Sequence, residues 1–183
     1  MKSRRLKTTQ HTLTRCIAVG FLLSTSIQAE QASDKGRQQN AKTRTRLAIR
    51  SLQIGSGMTV SDQFALRAAY SSAMKRLDGD ASCRALFDEL NLDGLQALSR
   101  NHYQPAQSVP EKSHCLGGVA AATGVGLSQV LICERFKTLP RPSKVAVLIH
   151  EALHTAGLNE APYDPRGKTS REITQMVKKA CSL

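Results

Sequence analysis

The chain has 183 residues, a formal net charge of +12, no tryptophan and only 4% aromatic residues. A positive balance of this size suits attraction to anionic envelope polymers, membranes or nucleic acid. No basic patch interleaved with aromatics occurs, so nothing beyond charge speaks for nucleic-acid binding.

The first residues read as an export signal. Lys2, Arg4, Arg5, Lys7 and Arg15 form a basic stretch without acidic residues, residues 16–23 (CIAVGFLL) a short apolar core, and Ile27-Gln28-Ala29 a cleavage site. This pattern predicts a signal peptide over residues 1–29, too short for a comfortable transmembrane helix. Leu13-Thr14-Arg15 before Cys16 is not a lipobox. With the five signal charges removed, the +12 becomes +7. The remaining length is enough for one domain with its own core, and no second apolar span follows. Residues 30–46 (EQASDKGRQQNAKTRTR) are polar and charged and predict a flexible leader. The folded domain is expected over 47–183.

Four cysteines remain after the signal: Cys83, Cys115, Cys133 and Cys181. An even count in an exported protein predicts two disulfides, with three connectivities available. The preferred pairing is Cys83–Cys115 with Cys133–Cys181, the latter tying the C-terminal helix to a strand. A cysteine zinc site would want a CxxC spacing, which the chain lacks.

Residues 61–77 predict a helix with Ser61 and Asp62 as capping residues and Phe64, Ala68, Ala69, Ala73 and Leu77 as its apolar stripe. Asp78-Gly79-Asp80 stops it. Shorter helices are expected over 82–90 and 93–98, and a loop with two prolines over 101–110. Residues 119–122 and 128–133 predict two short strands joined by Thr123-Gly124-Val125-Gly126. Residues 143–156 form the best-patterned helix, with Val145, Leu148, Ile149, Ala152 and Ala156 on its core face. Gly157 stands where helices commonly end in a left-handed turn. Thr169-Ser170-Arg171-Glu172 is a capping box opening a last helix over 170–181, with Ile173, Met176, Val177 and Ala180 as its stripe. Together these elements predict a small α+β domain: a few short strands, an active-site helix and a C-terminal helix.

The chemistry concentrates in His150-Glu151-Ala152-Leu153-His154. Residues four apart share one helix face, so both imidazoles can reach one ion, and Glu151 can reach a metal-bound water. A catalytic zinc takes three protein ligands and keeps one position for water. A left-handed Gly157 would let Glu160 swing back to complete the set. Asp164 is the second choice for third ligand, and His102 and His114 are outsiders. Glu151 is the expected general base, taking a proton from the zinc-activated water and returning it to a leaving amine. Tyr163 could support the oxyanion, although a tyrosine packed on the surface is the plainer reading.

HEALHTAGLNE resembles the zinc-binding consensus of zincin metallopeptidases, and its spacing is similar to the metzincin pattern HExxHxxGxxH/D with Glu160 in the third-ligand slot. The resemblance covers eleven residues closely. No Met-turn follows, since Met176, the only downstream methionine, falls on a helix stripe. The resemblance implies a zincin-like fold, one zinc ion held by His150, His154 and Glu160, and Glu151 as base. It also implies that the preceding strand, residues 129–133, forms the upper edge of a cleft and pairs with extended peptide.

Two functions follow as expectations. One is an exported zinc metallopeptidase, periplasmic or secreted, acting on peptide or protein substrates. The other is a non-catalytic, zinc-stabilised module whose basic surface recognises an anionic envelope partner. Beside these two stands a basic nucleic-acid or surface-polymer binder with an accidental motif.

Overall fold

The computed structural model describes residues 52–183, and the expected signal peptide, leader and domain start lie outside the described residues. The architecture is mixed α+β, as expected. Helix α1 (Val60–Gly79) opens at Thr59, whose hydroxyl accepts the Asp62 N–H. The cap thus lies ahead of the expected Ser61 and Asp62; Asp62 instead sits in the first turn, where a carboxylate complements the helix dipole. Asp80 ends α1 and caps α2 (Ala81–Arg84), accepting the Ser82 and Cys83 N–H groups. A 3₁₀ turn (Ala85–Phe87) follows, and Asp93 caps α3 (Gly94–Arg100).

The apolar stripe of α1 differs from the expected one. Phe64 is 70% exposed and Ala68 is also outside the core, whereas Leu66, Ala69, Tyr70, Ala73, Met74 and Leu77 are buried. Both sets have helical spacing. The buried face is the one that packs on the helix bearing His150 and His154, which the local pattern does not specify.

Four strands form one sheet in the order β1-β2-β4-β3. They are β1 (Gln53–Ile54), β2 (His102–Pro105), β3 (Ala121–Thr123) and β4 (Gln129–Ile132). β2 runs parallel to both β1 and β4, and β3 runs antiparallel to β4. β2 lies within the expected 101–110 loop, and the last two residues of that loop open a capped helical turn, α4 (Val109–Ser113). Its one fully buried side chain, Tyr103, meets Tyr70 edge to face at 6.2 Å. A four-residue strand with one large apolar side chain carries no readable alternation; pairing on both sides makes it a strand. β4 is interior, so among the described strands the edges of the sheet are β1 and β3, and not residues 129–133 as expected.

After α5 (Glu134–Thr138) comes α6 (Arg141–Thr155), the central helix. Pro142 falls in its first turn, where the missing N–H costs nothing. α6 packs against α1, α3, β3 and the last helix, α7 (Ser170–Ala180), and is buried on nearly every side. The Thr169–Glu172 capping box is formed as expected. No helix among the described residues is long and apolar enough to cross a membrane.

The disulfides are Cys83–Cys181 and Cys115–Cys133, which corrects the expected pairing. Burial of α7 through Ile173 and Val177 brings Cys181 beside α2, where Cys83 is buried. Cys133 directly follows β4, next to the loop carrying Cys115. Loop lengths of 98 and 18 residues correspond to chain-entropy stabilisation of about 4.7 and about 3.2 kcal/mol. In chemical denaturation, Cys83→Ala/Cys181→Ala is expected to cost more stability than Cys115→Ala/Cys133→Ala. Equal losses would contradict that ordering.

Candidate metal centre

Helix α6 places His150 and His154 one turn apart, with their Nε2 atoms 3.0 Å from each other. The helix then closes in a Schellman turn. Gly157 has φ +110°, its N–H bonds the His154 carbonyl, and the Leu158 N–H bonds the Leu153 carbonyl. A Cβ at Gly157 would lie 2.9 Å from the Asn91 amide. This reversal sends the chain back under the histidines. It aims the Leu158 carbonyl at His154 Nδ1 (2.8 Å) and brings Glu160 into the site.

Glu160 Oε2 lies 3.8 Å from His150 Nε2 and 3.5 Å from His154 Nε2. A triangle with these three sides has its centre about 2.0 Å from every corner, a distance at which nitrogen and oxygen donors hold a metal ion. Glu160 Oε2 is buried and has no hydrogen-bond partner. A buried carboxylate oxygen in that condition is costly unless a cation meets it. His150, His154 and Glu160 therefore can hold a metal ion.

Both Nδ1 atoms are held from behind. The Leu158 carbonyl accepts only, so His154 carries its ring proton on Nδ1 and offers Nε2 as a lone pair. His150 Nδ1 meets Thr174 Oγ1 at 2.9 Å. Burial depresses the His154 pKa and favours the neutral, ligating ring. The neighbouring imidazoles, His150 first, hold the Glu160 carboxyl below the usual range and keep it ionised.

Glu151 projects from the same helix and is 5% exposed. Burial, reinforced by the nearby Glu160 charge, pushes its pKa up to about 7; His150 and a hydrogen bond from the Thr123 backbone N–H oppose that shift. Its Oε2 has no hydrogen-bond partner. A carboxyl with a pKa near neutrality and one oxygen uncommitted is suited to both taking and giving a proton.

The remaining candidates separate clearly. Asp164 Oδ1 accepts the Arg166 N–H at 2.9 Å, serving the 160–168 turn, and does not join the donor cluster. His102 lies on β2, away from that cluster. Tyr163, 90% exposed, and His114 line a cleft of about 510 Å³ that also contains His154 and Glu160. Its walls include Ala122 and Thr123 of β3 and the apolar side chains of Val125, Leu127 and Leu131. The Gly126 N–H bonds the His154 carbonyl at 2.9 Å, pinning the β3–β4 loop to the helix. Sequence reasoning missed Thr174, the Leu158 carbonyl and the Thr123 N–H. Two of these act through backbone atoms and have no residue signature, and Thr174 is a lone threonine twenty-four residues from its partner.

Compared with protein-family models, curated proteins and solved structures, the chain has no match.

The turn at Gly157 yields a direct test. Gly157→Ala forces an L side chain into positive φ against Asn91, at about 1–2 kcal/mol, and displaces Glu160. Denaturation should show that loss together with weaker metal binding. Unchanged metal affinity would mean that Glu160 is not a ligand.

Proposed function

We propose that the protein is an exported zinc-dependent metallopeptidase. The observation that carries this reading is the juxtaposition of a His150–His154–Glu160 donor cluster, two members of which line an open cleft, with the buried, uncommitted carboxyl of Glu151 on the same helix. A zinc ion held there supplies a Lewis acid that polarises a carbonyl and acidifies water. Glu151 takes the proton of the attacking water and delivers it to the leaving amine. The Thr123 backbone beside Glu151 favours its ionised form against burial. Tyr163, which lines the cleft, is the candidate hydroxyl donor toward the oxyanion.

The sheet edge supports a peptide substrate. The Ala120 carbonyl pairs inward with Cys133 N–H, and the Thr123 N–H points outward to Glu151. Alternation along an antiparallel strand then turns the backbone groups of Ala121 to the open edge, where an extended peptide can add. Val125, Leu127 and Leu131 favour an uncharged, apolar side chain beside the scissile bond. Two disulfides suit an oxidising compartment and support export.

Glu151→Gln preserves shape and removes the base. It is expected to retain zinc by elemental analysis and to lose cleavage of an unstructured protein substrate by about 10²–10⁴-fold. Full activity in that variant would sink the peptidase reading. Retained zinc with no cleavage by the wild type would instead favour the non-catalytic zinc module. Leu127→Asn should lower kcat/KM for peptides with an apolar residue at the cut by about tenfold, with zinc content unchanged. An unaltered kcat/KM would remove Leu127 from the specificity wall.

A further inference from the structure

Zinc on an imidazole Nε2 requires the ring proton on Nδ1, and Nδ1–H requires an acceptor. The two histidines meet this need differently. His154 uses a backbone carbonyl supplied by its own helix terminus, Leu158. His150 uses a hydroxyl from another element: Thr174 Oγ1, 2.9 Å away on α7.

We propose that Thr174 is a positioning residue of the metal centre, through which the C-terminal helix orients His150. This rests on the zinc reading of the site. Thr174 is held in place, because α7 is fixed at three points around it. The Thr169–Glu172 capping box fixes the first turn, Ile173 and Val177 are fully buried on either side, and Cys181 bonds Cys83 at the far end. Thr174 adjoins the Ile173–Val177 stripe, so packing and disulfide both hold its hydroxyl against His150. The hydroxyl accepts the Nδ1–H, which selects the tautomer and rotation that aim Nε2 at the shared point with His154 and Glu160. Without an acceptor the ring proton has no reason to stay on Nδ1, and the donor triangle loses one corner. The C-terminal helix is thereby a part of the metal centre although it supplies no ligand.

The test compares wild type, Thr174→Val and Thr174→Ser, each as the full chain with its disulfides formed. Zinc affinity is read by competition with a chromogenic chelator, and stability from thermal unfolding of the metal-free proteins. Thr174→Val keeps the shape without the hydroxyl and is expected to bind zinc about 10–100-fold more weakly. Thr174→Ser should restore affinity to within about threefold of wild type. Wild-type affinity in Thr174→Val overturns the proposal. So does a Thr174→Ser as weak as Thr174→Val, which would assign the effect to packing. Nitrogen-15 NMR of the zinc-loaded wild type gives a measurement that needs no variant: the His150 ring proton belongs on Nδ1, and finding it on Nε2 overturns the role of Thr174. A wild-type protein that takes up no zinc refutes the metal site itself, an outcome distinct from normal uptake with an unaffected Thr174→Val.

Discussion

The left-handed turn at Gly157 is the constraint on which the site depends. Helix α6 would otherwise leave its last carbonyls unpaired and carry the chain away from the histidines. The Schellman bonds from Gly157 and Leu158 satisfy those carbonyls and reverse the chain within two residues. The same reversal performs two chemical tasks. It sets the Leu158 carbonyl behind His154 and swings Glu160 to the front of both rings. Asn91 packs where a side chain at residue 157 would go, and the Asn91 N–H bonds the Ala156 carbonyl, so the segment before α3 also fixes the turn.

Around that turn the domain spends its burial on a polar centre. His150, Glu151, His154 and Thr155 are all buried on a helix enclosed by α1, α3, β3 and α7. Buried polar groups are stable only when partnered. Most are: Thr155 bonds Asn101 and the Glu151 carbonyl, and each histidine is held at Nδ1. The two carboxylate oxygens that lack partners, one on Glu151 and one on Glu160, belong to the same site. The Glu160 oxygen belongs to the donor cluster that can hold a metal ion, and the Glu151 oxygen lies on the same helix between the two histidines.

The sheet and disulfides then determine what the site faces. β3, short and antiparallel, presents the open edge, and its Thr123 N–H reaches Glu151. The loop after it is tied to His154 through Gly126, so the apolar wall of the cleft and the donor cluster share one backbone. Cys115–Cys133 anchors the loop beyond His114 to the end of β4, and Cys83–Cys181 anchors α7 behind His150. Each disulfide thus secures one flank of the cleft or its support.

Much of the centre was legible in the residues alone. The i, i+4 histidines, the adjacent Glu151, the helix-ending Gly157, Glu160 at its spacing and the Thr169–Glu172 capping box all report local backbone geometry, which short sequence patterns encode. So did the α+β composition and the even cysteine count. Contacts between distant segments were not legible. β2 became a strand because β1 and β4 flank it, and α1 turned Leu66 and Tyr70 inward and Phe64 outward because of where α6 lies. Cys83 found Cys181 because α7 docks beside α2, and Thr174 met His150 because α7 also packs on α6. Pairing partners, the buried face of a helix and the outer support of a ligand are set by packing across the chain, and local propensity carries no information about who arrives on the other side.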